Sequence, residues 1–94
     1  MKKQNKEELT YIPLDDTENY FYSTDLGITA TLISIGYELV SLDTENSQKV
    51  VFIIKKQPDI DERMNEYFSG QLMVPARVLF ENIKLLKSMI CNSL

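Results

Sequence analysis

The chain has 94 residues, of which 44% are hydrophobic, and a net charge of −4 at pH 7. These values suit one small domain that buries its own core, and they exclude an intrinsically disordered chain. The acidic balance also argues against a protein that holds nucleic acid through a broad basic face.

Charge is divided unevenly along the chain. Residues 1–48 contain nine acidic residues and three lysines, a balance of −6, whereas residues 49–94 contain seven basic and five acidic residues, a balance of +2. A protein partner fits this division better than a nucleic acid does, because phosphate binding needs a positive surface.

The composition also predicts the compartment. Cys91 is the single cysteine, and a chain without a disulfide framework is typical of a reducing compartment. The sequence has no run of about 18 apolar residues that would indicate a membrane span, and its basic start is not followed by the apolar core of a signal peptide. We therefore expect a cytoplasmic protein without membrane contact.

The first half of the domain predicts a strand followed directly by a helix. Residues 19–23 are a short aromatic segment with the composition of a strand. A helix is predicted at residues 25–35, where Ser23 or Thr24 is placed to cap its start. Gly36 suits the left-handed conformation that ends helices.

A hairpin follows this helix. Residues 37–43 alternate loosely between apolar and polar side chains, and residues 49–55 form an apolar run between two lysines, so both segments predict strands. The residues between them, 44–48, have turn chemistry. The apolar run implies that both faces of the later strand are covered, so we expect it to be the inner strand of the pair.

The last third of the chain predicts two helices. One spans residues 58–70, with Pro58 in its first position and Gly70 at its end. The other begins at Pro75 and ends near Asn92. Its apolar stripe consists of Leu79, Ile83, Leu86 and Ile90, widened by Ala76, Val78, Phe80, Leu85 and Met89. A stripe this wide predicts cover from two sides, by the sheet and another helix or by a second copy of the chain.

The predicted element order is β-α-β-β-α-(β)-α, in which the bracketed strand is residues 71–74. Without that strand, residues 19–94 form an α+β domain with a three-stranded antiparallel sheet and three helices, preceded by a flexible tail at residues 1–18. With it, the fold becomes a variant of the ferredoxin-like arrangement. We favour the three-stranded form.

The aromatic strand raises the question of a stacking platform. Tyr20 and Tyr22 project to one face of the sheet and Phe21 to the other, because side chains alternate along a strand. Sheet aromatics stack on bases in some RNA-binding domains, but residues 49–55 lack the Arg, Gly and second aromatic that mark such a surface. We expect Phe21 in the core and both tyrosines half-buried, with their hydroxyls in water.

The sequence predicts no catalytic, cofactor or metal site. It contains no histidine, the commonest general base and metal ligand near neutral pH. Asp59, Asp61, Glu62 and Glu66 fit the start and solvent face of a helix better than a metal site, and their spacing matches no calcium loop. Cys91 has no orienting base and is interpreted as a buried or bystander thiol.

Several segments resemble a family of small bacterial proteins classed as a domain of unknown function. They are FYSTDLGITATL, GYELVSLD, VVFIIK and EYFSGQLMVPARVLFENIKLLKSMI, within about residues 20–91. The shared motifs are an aromatic-Ser/Thr-Asp-Leu start, a Tyr-aromatic-x-Gly helix end and a closing Leu-Lys-Ser segment. The resemblance implies a cytoplasmic accessory role, of the sort filled by stand-alone domains of uncultivated bacteria and mobile elements. It transfers no active site.

From these features we expect a non-catalytic binding or accessory module that acts through protein–protein interaction. The partner is another protein or the chain itself, with a homodimer through the last helix as one form. The alternative is a single-stranded nucleic-acid-binding domain that uses first-strand aromatics and a basic cluster. The residues predicted to take part in interaction are Tyr20, Tyr22, Arg77, Lys84, Lys87, Met89 and Ile90.

Overall fold

The structure is a computed structural model that describes residues 15–46 and 48–93. Within these ranges the elements are β1 (Tyr20–Ser23), α1 (Leu26–Ser34), β2 (Leu39–Asp43), β3 (Val51–Lys55), α2 (Ile60–Phe68) and α3 (Ala76–Ser93). The α+β class and the three-stranded form are confirmed, because residues 71–74 do not form a strand. The predicted tail at residues 1–18 lies largely outside the described residues.

β3 is the central strand of an antiparallel sheet with the order β1-β3-β2. Its side chains Phe52, Ile53 and Ile54 are each no more than 3% exposed. The prediction that this apolar run is the inner strand of the hairpin is therefore confirmed. The turn into β3 uses the predicted turn chemistry, since Asn46 Oδ1 accepts a hydrogen bond from the backbone N–H of Gln48 at 3.0 Å.

An irregularity in β2 explains why its sequence alternates only loosely. The pairing shifts between Leu39 and Ser41, so that Leu39 lies opposite Ile54 and Leu42 lies opposite Phe52. One extra residue in the strand thus places two leucines three positions apart on the same face. Both leucines pack against the buried core.

α1 is buried along its centre, where Thr29, Ala30, Thr31 and Leu32 are no more than 5% exposed. The two threonine hydroxyls donate hydrogen bonds to backbone carbonyls one turn earlier: Thr29 Oγ1 to Asp25 O at 2.8 Å, and Thr31 Oγ1 to Gly27 O at 2.7 Å. The helix can therefore bury these polar groups without leaving a donor unpaired.

Glycine residues end two of the helices, and an aspartate caps the start of α1. Gly36 and Gly70 have φ angles of +109° and +77° and end α1 and α2, as predicted. The start of α1 differs from the prediction, because its cap is Asp25, whose Oδ1 accepts from the N–H of Ile28 at 2.9 Å. Ser23 Oγ instead accepts from the N–H of Asp25.

Buried side chains of the described residues form two clusters on one face of the sheet. The first contains Leu32, Tyr37, Ile54 and Ile60, and the second contains Ala30, Phe52 and Leu86. The inner stripe of α3, predicted as Leu79, Ile83, Leu86 and Ile90, packs in or against the second cluster. All three helices therefore pack on the face of the sheet that carries Phe52 and Ile54.

Replacing Leu86 with Ala should lower the free energy of unfolding by about 2–5 kcal/mol, because truncating a fully buried leucine leaves a cavity. Leu85→Ala is the matched control: it deletes the same atoms one residue earlier, from a side chain that is 53% exposed, and should cost less than about 1 kcal/mol. Urea unfolding followed by circular dichroism measures both. Equal losses would contradict the orientation of α3.

Candidate functional site

Tyr20 and Tyr22 lie on the face of the sheet opposite the helices. Their ring centroids are 6.4 Å apart, with the planes inclined by 52°. In the β1–β3 pairing Tyr20 is opposite Lys55 and Tyr22 is opposite Ile53, while Phe21 packs against the first core cluster. The predicted division of the aromatic strand is thus confirmed: Phe21 is core, and both tyrosines are half-buried.

The Tyr22 hydroxyl has a structural partner rather than only water. It accepts a hydrogen bond from the backbone N–H of Asp16 at 3.1 Å and donates to the carbonyl of Asp16 at 3.3 Å. Partial burial raises the pKa of Tyr22, and the hydrogen bond from Asp16 partly offsets this rise. These bonds hold the turn before β1 against its own strand, which was not expected from the sequence.

A depression of about 380 Å³ lies beside Tyr20 at one end of this face. Its lining consists of Glu18, Asn19, Tyr20, Glu38, Val40, Lys55 and Lys56. The lining carries two carboxylates and two ammonium groups, so its charges largely cancel and it favours neither an anion nor a cation. Lys56 is also held by its own chain, since its Nζ donates to the carbonyl of Thr17 at 2.7 Å.

The predicted basic residues of α3 surround an exposed aromatic ring. Phe80 is 61% exposed. Arg77 precedes it by three residues, and Lys84 and Lys87 follow it by four and seven residues, which are helical spacings. Lys84 Nζ lies 5.0 Å from the centre of the Phe80 ring, within the range of a cation–π contact. We refer to these four residues as the Phe80 face.

One acidic residue borders this surface. Arg77 Nε forms an ion pair with Glu81 Oε2 at 3.2 Å, one turn along α3. The Arg77 side chain is nevertheless 89% exposed, and that of Glu81 is 58% exposed, so solvent screens the pair and it contributes little to stability. Arg77 can therefore exchange Glu81 for another carboxylate at small cost.

Met89 and Ile90 are placed differently from the α3 basic residues. Both are half-buried and pack against the cluster of Ala30, Phe52 and Leu86 in their own chain. Sequence reasoning named these two residues and missed Phe80, which it assigned to the covered stripe. The sequence did contain a sign that Phe80 is exposed: three residues at helical spacing from it, Arg77, Lys84 and Lys87, are basic.

The structure does not bring the predicted interaction residues together. Leu86 of α3 packs with Phe52, whose side chain is on the helix-covered face of the sheet. Tyr22 is paired with Ile53, which points to the other face. The basic residues of α3 and the two tyrosines therefore lie on opposite sides of the sheet, and the lysines close to Tyr20 are Lys55 and Lys56.

A polar contact fixes α2 to the beginning of β2. The Tyr37 hydroxyl donates a hydrogen bond to Asp59 Oδ1, at the N-terminus of α2. Tyr37 is 7% exposed, and burial together with this hydrogen bond raises its pKa well above the ordinary value. Arg63 Nη2 pairs with Glu66 at 3.2 Å and with Glu62 at 3.4 Å. The Tyr37–Asp59 bond thus joins α2 to the segment before β2, whereas the two Arg63 pairs lie within α2 itself.

The acidic residues and Cys91 are the remaining candidates for a chemical site. In that part of the chain, no three His, Cys, Asp or Glu side chains are grouped so that they could hold a metal ion. Cys91 is exposed. Of the two predicted alternatives, a buried thiol is therefore wrong, and a bystander thiol at the surface is the one that remains. None of the helices in residues 15–46 and 48–93 is long and apolar enough to span a membrane.

Comparison with family models identifies the family of the chain. A family model described as Domain of unknown function (DUF5659) matches residues 18–92, which contain β1 to β3, α1, α2 and nearly all of α3. The chain belongs to this family. The DUF5659 match confirms the resemblance seen in the sequence to a domain of unknown function. Neither the comparison with curated proteins nor that with solved structures gave a match.

The free energy of unfolding should fall as pH rises above about 10, the ordinary tyrosine pKa. Above that pH the unfolded chain loses the Tyr37 proton, whereas the folded protein retains it because its Tyr37 pKa is raised. The unfolded state then binds fewer protons than the folded state, and stability decreases with pH. Urea unfolding at about pH 8 and about pH 11 measures this loss.

Tyr37→Phe is the control for this measurement. The variant retains every lysine and the other tyrosines, so its pH dependence differs from that of the wild-type protein only by the contribution of Tyr37. We expect a smaller loss between the two pH values. An equal loss in both proteins would show that folding does not suppress ionisation of Tyr37.

Proposed function

We propose that this DUF5659 domain is a non-catalytic module that binds another protein through the outer side of α3. The observation that carries this proposal is the exposure of Val78, Phe80 and Leu85, at 40%, 61% and 53%. The inner stripe of α3 already closes the core. The fold therefore does not require Val78, Phe80 and Leu85 to be large and apolar. Exposed apolar side chains grouped on one element are typical of interaction surfaces.

The positions of these side chains define the surface. Val78 and Leu85 are seven residues apart and lie on one flank of α3, whereas Phe80 lies on the other flank. Arg77 and Lys84 lie on the exposed strip between the flanks. An apolar anchor with charged residues around it resembles the anatomy of transient interfaces, in which a buried centre is surrounded by a polar rim.

The proposal includes the absence of catalysis. It is supported by the buried polar side chains, whose hydrogen bonds hold parts of the fold together. The partly buried contact of Tyr37 with Asp59 connects two core elements, and neither residue lines the depression beside Tyr20. The exposed Cys91 thiol supports placement of the protein in a reducing compartment such as the cytoplasm.

A second candidate function is binding of single-stranded nucleic acid at Tyr20 and Tyr22. The side-by-side rings and the pairing of Tyr20 with Lys55 favour it. Glu18 and Glu38 share the adjacent depression, and their carboxylates would repel phosphates. This candidate is tested by fluorescence anisotropy with labelled single-stranded DNA and RNA at low salt, where phosphate attraction is strongest.

Phe80→Ala should reduce partner binding by about tenfold or more, since aromatic anchors carry much of the binding energy of an interface. The measurement is quantitative recovery of cross-linked partner protein, from cells that express the tagged full chain, by mass spectrometry. Because Phe80 is largely exposed, thermal unfolding of the variant should match that of the wild-type protein.

Phe68→Ala is the matched control. It removes another exposed phenylalanine, 73% accessible and located on α2 rather than α3, and it should leave recovery unchanged. Equal recovery with the wild-type protein and Phe80→Ala would contradict a binding surface on α3. Loss in Tyr20→Ala alone, together with oligonucleotide binding, would support the second candidate instead.

A further inference from the structure

We infer that the partner presents an acidic segment with one bulky apolar side chain, and that this segment docks on the Phe80 face. The inference rests on the proposed function and specifies the chemistry of the partner. Phe80 would contact the apolar side chain, and Arg77, Lys84 and Lys87 would contact carboxylates on either side of it. The occupant is a segment of a different protein.

The arrangement around Phe80 supports an apolar anchor at its centre. The ring is 61% exposed, and Lys84 Nζ covers part of one of its faces at 5.0 Å from the centroid. Ala76, one turn before Phe80, is a small residue that leaves room for a partner side chain. A partly accessible ring held by a neighbouring charge is a pre-formed contact that loses little conformational freedom on binding.

Charge complementarity selects carboxylates for the rim. α3 contains Arg77, Lys84 and Lys87 against Glu81 alone, a net charge of +2 on a chain whose net charge is −4. The three basic side chains are exposed. Within residues 15–46 and 48–93, Arg77 is the one of the three that forms an ion pair, to Glu81, and both members of that pair are largely accessible. Opposite charges at an interface rim raise the association rate and exclude partners of the wrong sign.

The same charges argue against a second copy of the chain docked face to face. A symmetric contact between two Phe80 faces would bring three basic side chains of one copy against three of the other, and like charges across an interface are unfavourable. Met89 and Ile90, which would extend such a contact along α3, already pack in their own core.

A polyanion fits the molecule less well than a short acidic segment. Residues 15–46, which include β1, α1 and β2, contain seven acidic residues and no basic residue, so this part of the chain repels an extended phosphate backbone. A peptide segment needs to match only the local charge of α3.

The test is selection of peptides from a random 16-residue phage library on the wild-type full chain, with removal of phage that also bind Phe80→Ala. The enriched peptides should carry several more acidic than basic residues and a Leu, Ile, Phe or Trp. One enriched peptide, labelled with fluorescein, then serves as the probe in fluorescence anisotropy. Phe80→Ala should weaken its binding by about tenfold or more, and added salt should weaken it further.

Two more variants separate charge from packing. The double substitution Lys84→Gln and Lys87→Gln removes both positive charges while keeping polar side chains, and it should weaken binding of the same peptide and reduce its salt dependence. Phe68→Ala, away from α3, should leave it unchanged. Circular dichroism and thermal unfolding establish that each variant is folded.

Several results would overturn the inference. Enriched peptides that are neutral or basic, or no peptide whose binding depends on Phe80, would exclude an acidic segment. Self-association of the wild-type chain in sedimentation experiments that is lost in Phe80→Ala would assign the surface to a second copy. If cross-linking still recovers a Phe80-dependent partner, the proposed function stands and only the partner chemistry is wrong.

Discussion

The burial of α1 from several sides is the constraint on which the other elements depend. Thr29 to Leu32 are four consecutive residues, and successive side chains of a helix point about 100° apart, so burial of all four requires packing on every side of the helix. The sheet supplies Phe52 and Ile54, and α3 supplies Leu86. α3 is also fastened to α1 by Asn82 Nδ2, which donates to Ser34 Oγ at 2.9 Å.

α2 completes this enclosure through a close approach at Gly27. A side-chain carbon at this position would lie 3.2 Å from the Tyr67 hydroxyl of α2 and 3.3 Å from Asp25 Oδ1. Glycine therefore allows α2 to approach the first turn of α1, while Ile60 and Met64 pack with Leu32. The polar contact between Tyr37 and Asp59 fixes the other end of α2.

The same arrangement leaves α3 with two different sides. Its inner stripe closes the core over Ala30 and Phe52, and its outer side is left to solvent because no described element lies beyond it. Neighbouring residues therefore differ in role: Leu86 is fully buried, while Leu85 is 53% exposed. The Phe80 face arises from this division, since Phe80 lies outside the stripe that the sheet and α1 require.

The sequence by itself determined the elements, their order, the central position of β3 and the core role of Phe21. These depend on hydrophobic periodicity, on glycine at helix ends and on turn residues, which act within a few positions of the chain. The basic residues Arg77, Lys84 and Lys87 could also be named, because exposed charge on a helix is visible in its pattern. Only the tertiary structure separated them from Tyr20 and Tyr22, packed Met89 and Ile90 against the core of their own chain, and exposed Phe80. Those assignments depend on which faces of α3 the sheet and α1 cover, and a broad apolar stripe does not specify which part of it is buried.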